Sequence, residues 1–333
     1  TYAWRLVGGA SLARLTRPSS QVFWLGLFLA SRFLLAPLEN QQFDVVITAC
    51  MFAGCLALGR GRDMLAALWL GAAAAMKCTP LLFAPYLVWR GKLRSAALLV
   101  LVAVAVNRLP DYFWPRADGG SYLGDWVGTF LVKVGRTAPG VWDSDIILNQ
   151  SLSGLINRFV QSGIPLSTAQ LPSALAKLPT TTTTAIRLLT YGVSLALLTI
   201  TAWRFGRLGR IATLRASHGK ALAAWADTQT AVEASAIICL TLLLSPMSSK
   251  AHYVALLLPC LVVSRAVIDK RLNWKVWLPP LAVLGPLTAK GFTGKTLGDL
   301  MLAWGFPTWF VLIALAAIWR LRSNEERPTS NGQ

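Results

Sequence analysis

Acidic residues are scarce in this chain. Its 333 residues include only 14 Asp and Glu against 32 Lys and Arg, and only two histidines, which leaves a net charge of +18. The five cysteines lie in or beside apolar runs without the spacing of metal ligands; they are Cys50, Cys55, Cys78, Cys239 and Cys260. Such cysteines are typical of apolar packing. We therefore predict no disulfide framework, and the sequence shows neither a set of metal ligands nor a required cofactor.

Charged residues of either sign are also few, at 14% of the chain, whereas hydrophobic residues make up 55%. Apolar runs near the roughly 20 residues that cross a bilayer as a helix recur along the sequence. Lys and Arg cluster between these runs, as the positive-inside rule predicts for cytoplasmic loops, so the basic charge does not indicate nucleic-acid binding. We expect an all-α, polytopic integral membrane protein of the plasma (inner) membrane, in contact with membrane lipids.

The sequence begins at Thr1 rather than Met, and no signal-peptide pattern is recognisable before its first apolar run. We expect residues 1–333 to form a single transmembrane domain that lacks an N-terminal portion. A long outer loop is expected over about 108–184, and a disordered cytoplasmic tail over about 323–333.

The basic clusters orient the apolar runs. Gln21–Leu38 and Phe43–Leu58 predict a helical hairpin, and the following Arg60 and Arg62 place its turn on the outer side. Alternating crossings are predicted for the later runs, namely Ser95–Val106, Ala185–Trp203, Thr230–Leu244, His252–Val267, Val276–Thr288 and Leu300–Ile318. Every later basic cluster then falls in the cytoplasm.

Lys77 lies in the middle of the apolar stretch Met64–Trp89. A charge at membrane depth costs at least about 2.5 to 3.5 kcal/mol, so it needs a cavity, a partner or an anionic ligand. A single helix over this stretch would span roughly 39 Å and would put the basic loops at its two ends on opposite sides. Two halves broken at residues 78–80 are each too short to cross a core of about 30 Å. We therefore predict a re-entrant helical pair with Lys77 near its tip.

The long outer segment is predicted to have three parts. Asp111–Trp142 is rich in aromatic residues and Gly, which is typical of a membrane interface. Ser151–Phe159 carries apolar residues at helical spacing, which predicts a short amphipathic helix lying on the membrane. Thr180–Thr184 is interpreted as a strand-like or loop approach to the next helix. Basic residues on this outer side indicate an anionic ligand or lipid headgroups.

Two polar constellations in the first half of the chain are candidate substrate-binding sites. Lys77 either binds an anionic substrate or snorkels or pairs with a carboxylate of a neighbouring helix. Asn149 and Gln150, followed by serines and by Arg158, are typical of a plain N-cap beside a solvated arginine, and equally of an anion site at a helix N-terminus; the two interpretations are compatible.

The polar break at residues 245–253 supplies a third candidate. Lys250 and His252 can both donate to phosphate, although an isolated His is more often a hydrogen-bonded interfacial residue. The outer carboxylates are the fourth group: Glu39, Asp44, Asp111, Asp118, Asp125, Asp143 and Asp145. Most are interpreted as ordinary loop residues, but one general base suffices to transfer a sugar to a hydroxyl with inversion.

Three segments together resemble glycosyltransferase family 87: Ala66–Trp89, the block Asn149–Gly154 with Arg158, and Ser245–Pro259 with His252. The similarity is spread over most of the chain in the same order. It implies a GT-C-like helical bundle whose cavity opens to the outer side. It also implies transfer of a sugar of the mannose or arabinose class from a polyprenyl-phosphate donor to an extracytoplasmic glycan or glycolipid acceptor.

In such an enzyme, fixed cations stabilise the departing phosphate. The resemblance gives this role to Lys77, to Arg158, and to Lys250 with His252. At 250–252 the family often has a bulkier Trp and paired His, which leaves the role of His252 open.

A second departure concerns the catalytic base. Enzymes of this class usually carry the acidic residue in the first outer loop, and we expect this chain to begin beyond that loop. Gln42 and Asp44 fall where the family pattern tends to have a Gly-Gln-x-Asn element. Gln42 is therefore interpreted as substrate-binding, and Asp44 as a cavity-lining residue first and a substitute base second. The alternatives are a transporter or flippase-like protein for an anionic lipid-linked substrate, and an inactive fragment of the transferase.

Overall fold

The computed structural model describes residues 2–7, 17–39, 41–128, 147–162, 180–205 and 220–321, and the regular structure in these ranges is entirely helical. The α-helices are α1 Tyr2–Leu6, α2 Arg17–Glu39, α3 Asp44–Gly59, α4 Asp63–Met76, α5 Phe83–Trp89, α6 Leu93–Phe113, α7 Tyr122–Trp126, α8 Leu152–Ser162, α9 Thr180–Phe205, α10 Lys220–Leu244, α11 Leu257–Ile268, α12 Trp274–Leu284, α13 Lys290–Ala303 and α14 Phe306–Leu321. Three 3-10 helices are η1 Thr79–Leu82, η2 Lys250–Leu256 and η3 Pro286–Thr288.

Among the described residues, four helical segments are long and apolar enough to cross a membrane: Ser19–Glu39, Leu93–Phe113, Thr184–Phe205 and Lys250–Ile268. The number of candidate spans rises to five if the bent pair of α13 and α14 is counted as one span. The predicted all-α, polytopic membrane fold is confirmed by these helices.

The apolar stretch around Lys77 is broken where the sequence predicts. α4 ends at Met76, Lys77 is extended with φ −156° and ψ 126°, and η1 begins at Thr79. Pro80 explains the break, because it has no backbone N–H to donate to the carbonyl four residues earlier and so cannot continue α4.

The chain reverses direction at this break. Lys92 at the start of α6 pairs with Asp63 at the start of α4. Near their other ends, Asn107 of α6 donates to the carbonyl oxygen of Ala75 at 3.1 Å. α4 and α6 therefore run parallel, and η1 and α5 lead the chain back between them. The loops 60–62 and 90–94 consequently lie together, at what we call the basic end, and Lys77 lies at the opposite end, the site end.

Small residues allow the close packing of α4 against its neighbours. A Cβ atom added to Gly54 of α3 would lie 2.7 Å from the Leu70 side chain, and one added to Gly71 of α4 would lie 2.7 Å from Val102 of α6. Because glycine has no Cβ atom at these two positions, the helix backbones approach closely, which is the usual basis of helix association in membranes. α3, α4 and α6 thereby form the packed frame that positions Lys77.

One sequence interpretation of local structure is wrong. Thr180–Thr184 forms the first part of α9 rather than a strand-like or loop approach to it. Threonine disfavours a helix by only about 0.5 kcal/mol per residue, and the apolar segment that follows propagates the helix across this small penalty.

Several predicted crossings differ from the structure. The runs Phe43–Leu58 and Thr230–Leu244 correspond to apolar helical segments, Asp44–Gly59 and Gln229–Leu244, that are shorter than the roughly 20 residues of a spanning helix. α12 has 11 residues and is about 17 Å long, so the predicted run Val276–Thr288 is too short to cross alone. It stops at Gly285 because the following Pro286 disfavours helical geometry there. Leu300–Ile318 is not one straight helix, because α13 and α14 meet at 63° next to Gly305, whose φ is 71°.

The single-domain boundaries and the outer loop over 108–184 stay predictions. The predicted tail over 323–333 lies outside the described residues, as do Asp143 and Asp145.

Candidate active site

Asp44, Lys77 and His252 meet at the site end. Lys77 Nζ donates to Asp44 Oδ1 at 2.7 Å, and His252 Nε2 lies 3.9 Å from the same oxygen. Asp44 is the first residue of α3 and Lys77 directly follows α4. Because these two helices are antiparallel and of nearly equal length, their free ends meet. η2, which packs on α3, brings His252 to the pair.

The protonation state of His252 follows from its hydrogen bonds. Its Nδ1 accepts the backbone N–H of Ser249 at 3.0 Å, as part of a capping box that begins η2. A ring nitrogen that accepts a hydrogen bond carries no proton, so the proton of the neutral ring is on Nε2, the atom that faces Asp44. In this arrangement His252 is a hydrogen-bond donor at the site and not a general base.

Lys77 has both a partner and a cavity. Its pairing with Asp44 is the alternative in which the lysine is neutralised by a neighbouring helix. An ammonium group has three protons, however, and Asp44 accepts one of them. Lys77 also lines a cavity of about 300 Å³ between α4, η1, α6 and α7, whose other lining residues are mostly apolar, among them Met76, Leu81, Val104 and Trp126. The pairing and an anion beside it are therefore compatible.

Asn149 joins two constellations that the sequence treated separately. Its side-chain nitrogen donates to the carbonyl oxygen of Pro246 at 3.1 Å, and its side-chain oxygen accepts from the backbone N–H of Ser248 at 3.3 Å. The backbone N–H of Gln150 donates to the Ser248 carbonyl oxygen at 2.7 Å. The block at 149–154 therefore holds the break at 245–249 in place, just before the turn that carries His252.

Gln150 and Arg158 tie the same block to the bend between α13 and α14. The Gln150 side chain donates to the carbonyl oxygen of Leu302 at 2.9 Å. Arg158, which is only 1% exposed, donates from Nη1 to the Asn149 carbonyl oxygen at 2.6 Å and from Nε to that of Ala303 at 3.1 Å. A role of these residues in binding substrate stays a prediction, while their hydrogen bonds show that they support the site.

The helix after this block corrects the sequence interpretation. α8 forms as predicted, and Ser151 Oγ accepts the N–H of Gly154 at 3.2 Å, as expected of an N-cap. It does not lie on the membrane surface, since Leu152, Leu155 and Arg158 are all buried. The periodicity of the sequence predicts the apolar face of α8 but not what covers its polar face. In the structure, the polar side chain of Arg158 donates hydrogen bonds to backbone carbonyl oxygens of other segments. The interpretation of Arg158 as solvated is wrong for the same reason.

The other predicted site residues lie apart from the cluster. Gln42 is exposed, two residues before Asp44. Lys250 is half-buried and interacts electrostatically with Arg32 and Lys290. Sequence reasoning missed Arg32, although a charge inside the first apolar run is the same signal that identified Lys77.

The outer carboxylates of residues 111–125 form local loop contacts. Arg116 Nε donates to Asp118 Oδ1 at 2.9 Å, and this guanidinium holds the pKa of the Asp118 carboxyl below its usual range. Asp111 accepts the backbone N–H of Tyr122 at 2.7 Å. These contacts are local to the loop and do not reach the Asp44 cluster. Within the described ranges, no group of three or more His, Cys, Asp or Glu is arranged to hold a metal ion.

Comparison with known protein families gives a match over most of the chain. The model of a protein family described as glycosyltransferase family 87 matches residues 1–226, which is more than half of the chain. The matched range contains Asp44, Lys77 and Arg158, whereas the third resembling segment at 245–259 lies beyond it. No curated protein and no solved structure matches the chain.

Proposed function

This chain belongs to glycosyltransferase family 87, and we propose that it transfers a sugar of the mannose or arabinose class from a polyprenyl-phosphate donor to an extracytoplasmic glycan or glycolipid. Membership in the family makes the protein a glycosyltransferase. The donor, the acceptor and the side of the membrane are the proposal, and they are argued from the site.

The observation that carries the proposal is the position of Lys77 at the edge of an apolar cavity. A polyprenyl phosphate presents an anion bonded directly to an apolar chain. Lys77 and the cavity of about 300 Å³ supply the matching pair of features, a fixed cation beside apolar walls of α4, α6 and α7. The ammonium would contact the phosphate while the first part of the chain occupies the cavity.

The orientation follows from charge and aromatic residues. The loops 60–62 and 90–94 are basic, which favours the cytoplasm for the basic end and the extracytoplasmic side for the site end. At the site end, Tyr112, Phe113 and Trp114 are exposed by 81%, 60% and 69%. Aromatic residues of this kind anchor at the headgroup level of a bilayer, which supports the same orientation.

In the proposed reaction, an acceptor hydroxyl oxygen attacks the anomeric carbon of the donor. The bond from that carbon to the phosphate oxygen breaks, its electron pair leaves with the phosphate, and the configuration inverts. Negative charge grows on the phosphate as it departs, and the Lys77 ammonium and the Nε2–H of His252 stabilise this charge. Inversion needs one base for the hydroxyl proton and no covalent intermediate.

Asp44 has a positioning role first and a base role second. Its Oδ1 holds Lys77, while Oδ2 has no hydrogen bond to the residues that the structure describes and can accept the proton of the hydroxyl. The Asp44→Asn variant tests whether Asp44 is the base or whether the base is a carboxylate outside the described ranges. If Asp44 is the base, transfer is lost; if it only positions Lys77, transfer falls but continues.

Reconstitution of the full chain in vesicles with labelled polyprenyl-phosphate mannose or arabinose tests the proposal. We expect label in the acceptor and, for Lys77→Ala, a decrease in kcat of about 100- to 1000-fold, the usual effect of removing one group that stabilises developing charge. Lys92→Ala is the matched control, because it removes the lysine of the ion pair at the other end of α4. Full transfer by Lys77→Ala would exclude Lys77 from the mechanism.

The same vesicles test the transporter alternative. A transporter or flippase would move the labelled lipid across the bilayer without placing label in the acceptor. Membership in a glycosyltransferase family favours the transferase.

A further inference from the structure

A second group of cations lies at the site end, apart from the Asp44 cluster. Arg32 of α2 is only 9% exposed, and its buried Nη1 has no hydrogen-bond partner among the described residues. Lys250, the first residue of η2, has no ion pair in that part of the chain either and interacts electrostatically with Arg32 and Lys290. Lys250 of η2 is therefore within electrostatic range of a cation on each of two other elements, Arg32 of α2 and Lys290 of α13.

The packing of the helices fixes this convergence. α2 lies along η2, the turn that carries Lys250, and also contacts η3, which ends two residues before Lys290. A 3-10 helix has three residues per turn, so Lys250 and His252 leave η2 on different faces. One turn thus supplies a cation to this group and an imidazole to the Asp44 cluster.

The carboxylates nearby form an ion pair with only one of the three cations in the described residues. Lys290 Nζ pairs with Asp299 Oδ1 at 2.8 Å. Glu39 interacts electrostatically with Arg32 and Lys250, but it is exposed and makes no hydrogen bond to Arg32. A buried guanidinium is normally paired, because an unpaired charge loses its hydration without compensation. Arg32 therefore has the property expected of a residue whose partner is a ligand.

We propose that Arg32, Lys250 and Lys290 form a second phosphate-binding site, separate from the one at Lys77. A phosphate group has several acceptor oxygens and can be contacted by a guanidinium fork and by ammonium groups at the same time. The ligand is a phosphate group, either free or in the headgroup of an anionic lipid. That this site binds the phosphate of an acceptor lipid rests on the proposed function. That it binds a phosphate group does not.

Native mass spectrometry of the full chain in detergent tests the site, with phosphatidic acid as the probe and phosphatidylcholine as the zwitterionic comparison. We expect two saturable phosphatidic acid molecules on the unmodified chain. Arg32→Gln should weaken one of them about tenfold or more, the effect of losing a charge-assisted hydrogen bond. Lys77→Ala should weaken the other. Arg60→Gln, which removes an exposed cation at the basic end, should change neither.

Competition with inorganic phosphate distinguishes the two sources of the ligand. Displacement of the Arg32-dependent lipid by inorganic phosphate would assign recognition to the phosphate group alone, and persistence of the lipid would assign it to a lipid headgroup. Unchanged binding of both phosphatidic acid molecules by Arg32→Gln and by Lys250→Gln would overturn the proposal.

Thermal unfolding distinguishes loss of a ligand contact by Arg32 from loss of an internal contact that stabilises the fold. Because Arg32 Nη1 has no partner among the described residues, Arg32→Gln should unfold without ligand at the same temperature as the unmodified chain or higher. Phosphatidic acid should raise the Tm of Arg32→Gln by less than it raises the Tm of the unmodified chain, because one binding site is weakened. A lower Tm without ligand would show that Arg32 is already paired and would also overturn the proposal. Neither measurement depends on sugar transfer, so a failure here is distinguishable from a failure of the proposed function.

Discussion

α4 has a Lys–Asp pair at each of its ends, and the two pairs differ in what surrounds them. Lys92 pairs with Asp63 at the basic end, where the lysine side chain is 19% exposed and the carboxylate side chain 34%. Lys77 pairs with Asp44 at the site end, where the lysine side chain is 24% exposed, the carboxylate side chain only 9%, and a cavity lies beside the lysine. The two pairs therefore differ in the burial of the carboxylate: one that water reaches is screened, whereas a buried one constrains what can bind next to it. The same two residue types therefore have different roles at the two ends.

The basic end also contains a fully partnered buried pair. Arg90 pairs with Glu233, and their side chains are exposed by 8% and 4%. Tyr86 Oη donates to Glu233 at 2.7 Å, and the Gln229 side chain donates to it at 3.3 Å. This network links α5 to α10. It contrasts with the site end, where Nη1 of Arg32 is buried without a partner in the described residues.

The largest expected effect breaks this network. Arg90→Leu leaves Glu233 buried without its counter-charge, which should lower the free energy of unfolding by about 3 to 5 kcal/mol. Unfolding of the purified chain in mixed micelles measures the change.

The double variant Arg90→Leu, Glu233→Leu is the control. Replacing both charges removes the unpaired carboxylate, so it should recover most of the lost stability. If Arg90→Leu costs less than about 1 kcal/mol, the pair behaves as an exposed one and the contrast between the ends disappears.

The second largest effect is expected for Arg158, and it distinguishes a structural role of this residue at the site end from a role in binding substrate. Arg158→Met removes the donors to the carbonyl oxygens of Asn149 and Ala303, which should lower the free energy of unfolding by about 2 to 4 kcal/mol. A residue that supports the site would show this loss of stability. Unchanged stability with strongly reduced transfer would instead show that Arg158 contacts the substrate phosphate.

The sequence was sufficient for the position of Lys77 but not for its partner. A lone charge in an apolar run and a following Pro80 predict the break, because both effects are local. Asp44 was considered as a cavity-lining residue, and its pairing with Lys77 was missed. The signal was present, since residues 44–59 and 63–76 are arms of similar length around a short turn, and such a hairpin brings its two free ends together.

The surroundings of α8 could not be predicted in this way. Its apolar spacing gives a helix, but its burial depends on hydrogen bonds from Asn149 and Arg158 to carbonyl oxygens of Pro246 and Ala303, more than ninety residues away. Nothing local encodes those pairings. Arg32 differs, because its charge inside the first apolar run was a local signal, while its lack of a partner is visible only when α2, η2 and η3 are packed together.

The smallest expected effect is on the partly exposed Lys92–Asp63 pair at the basic end, and it tests the comparison most directly. Lys92→Ala should change the free energy of unfolding by about 1 kcal/mol or less, because water reaches the Asp63 carboxylate, which stays hydrated without its partner, and added salt screens the pair. Transfer should be retained, since Lys92 lies at the end of α4 opposite to Lys77. If Lys92→Ala lost transfer as strongly as Lys77→Ala while remaining folded, both lysines would act through the packing of α4, and neither would need to contact a phosphate.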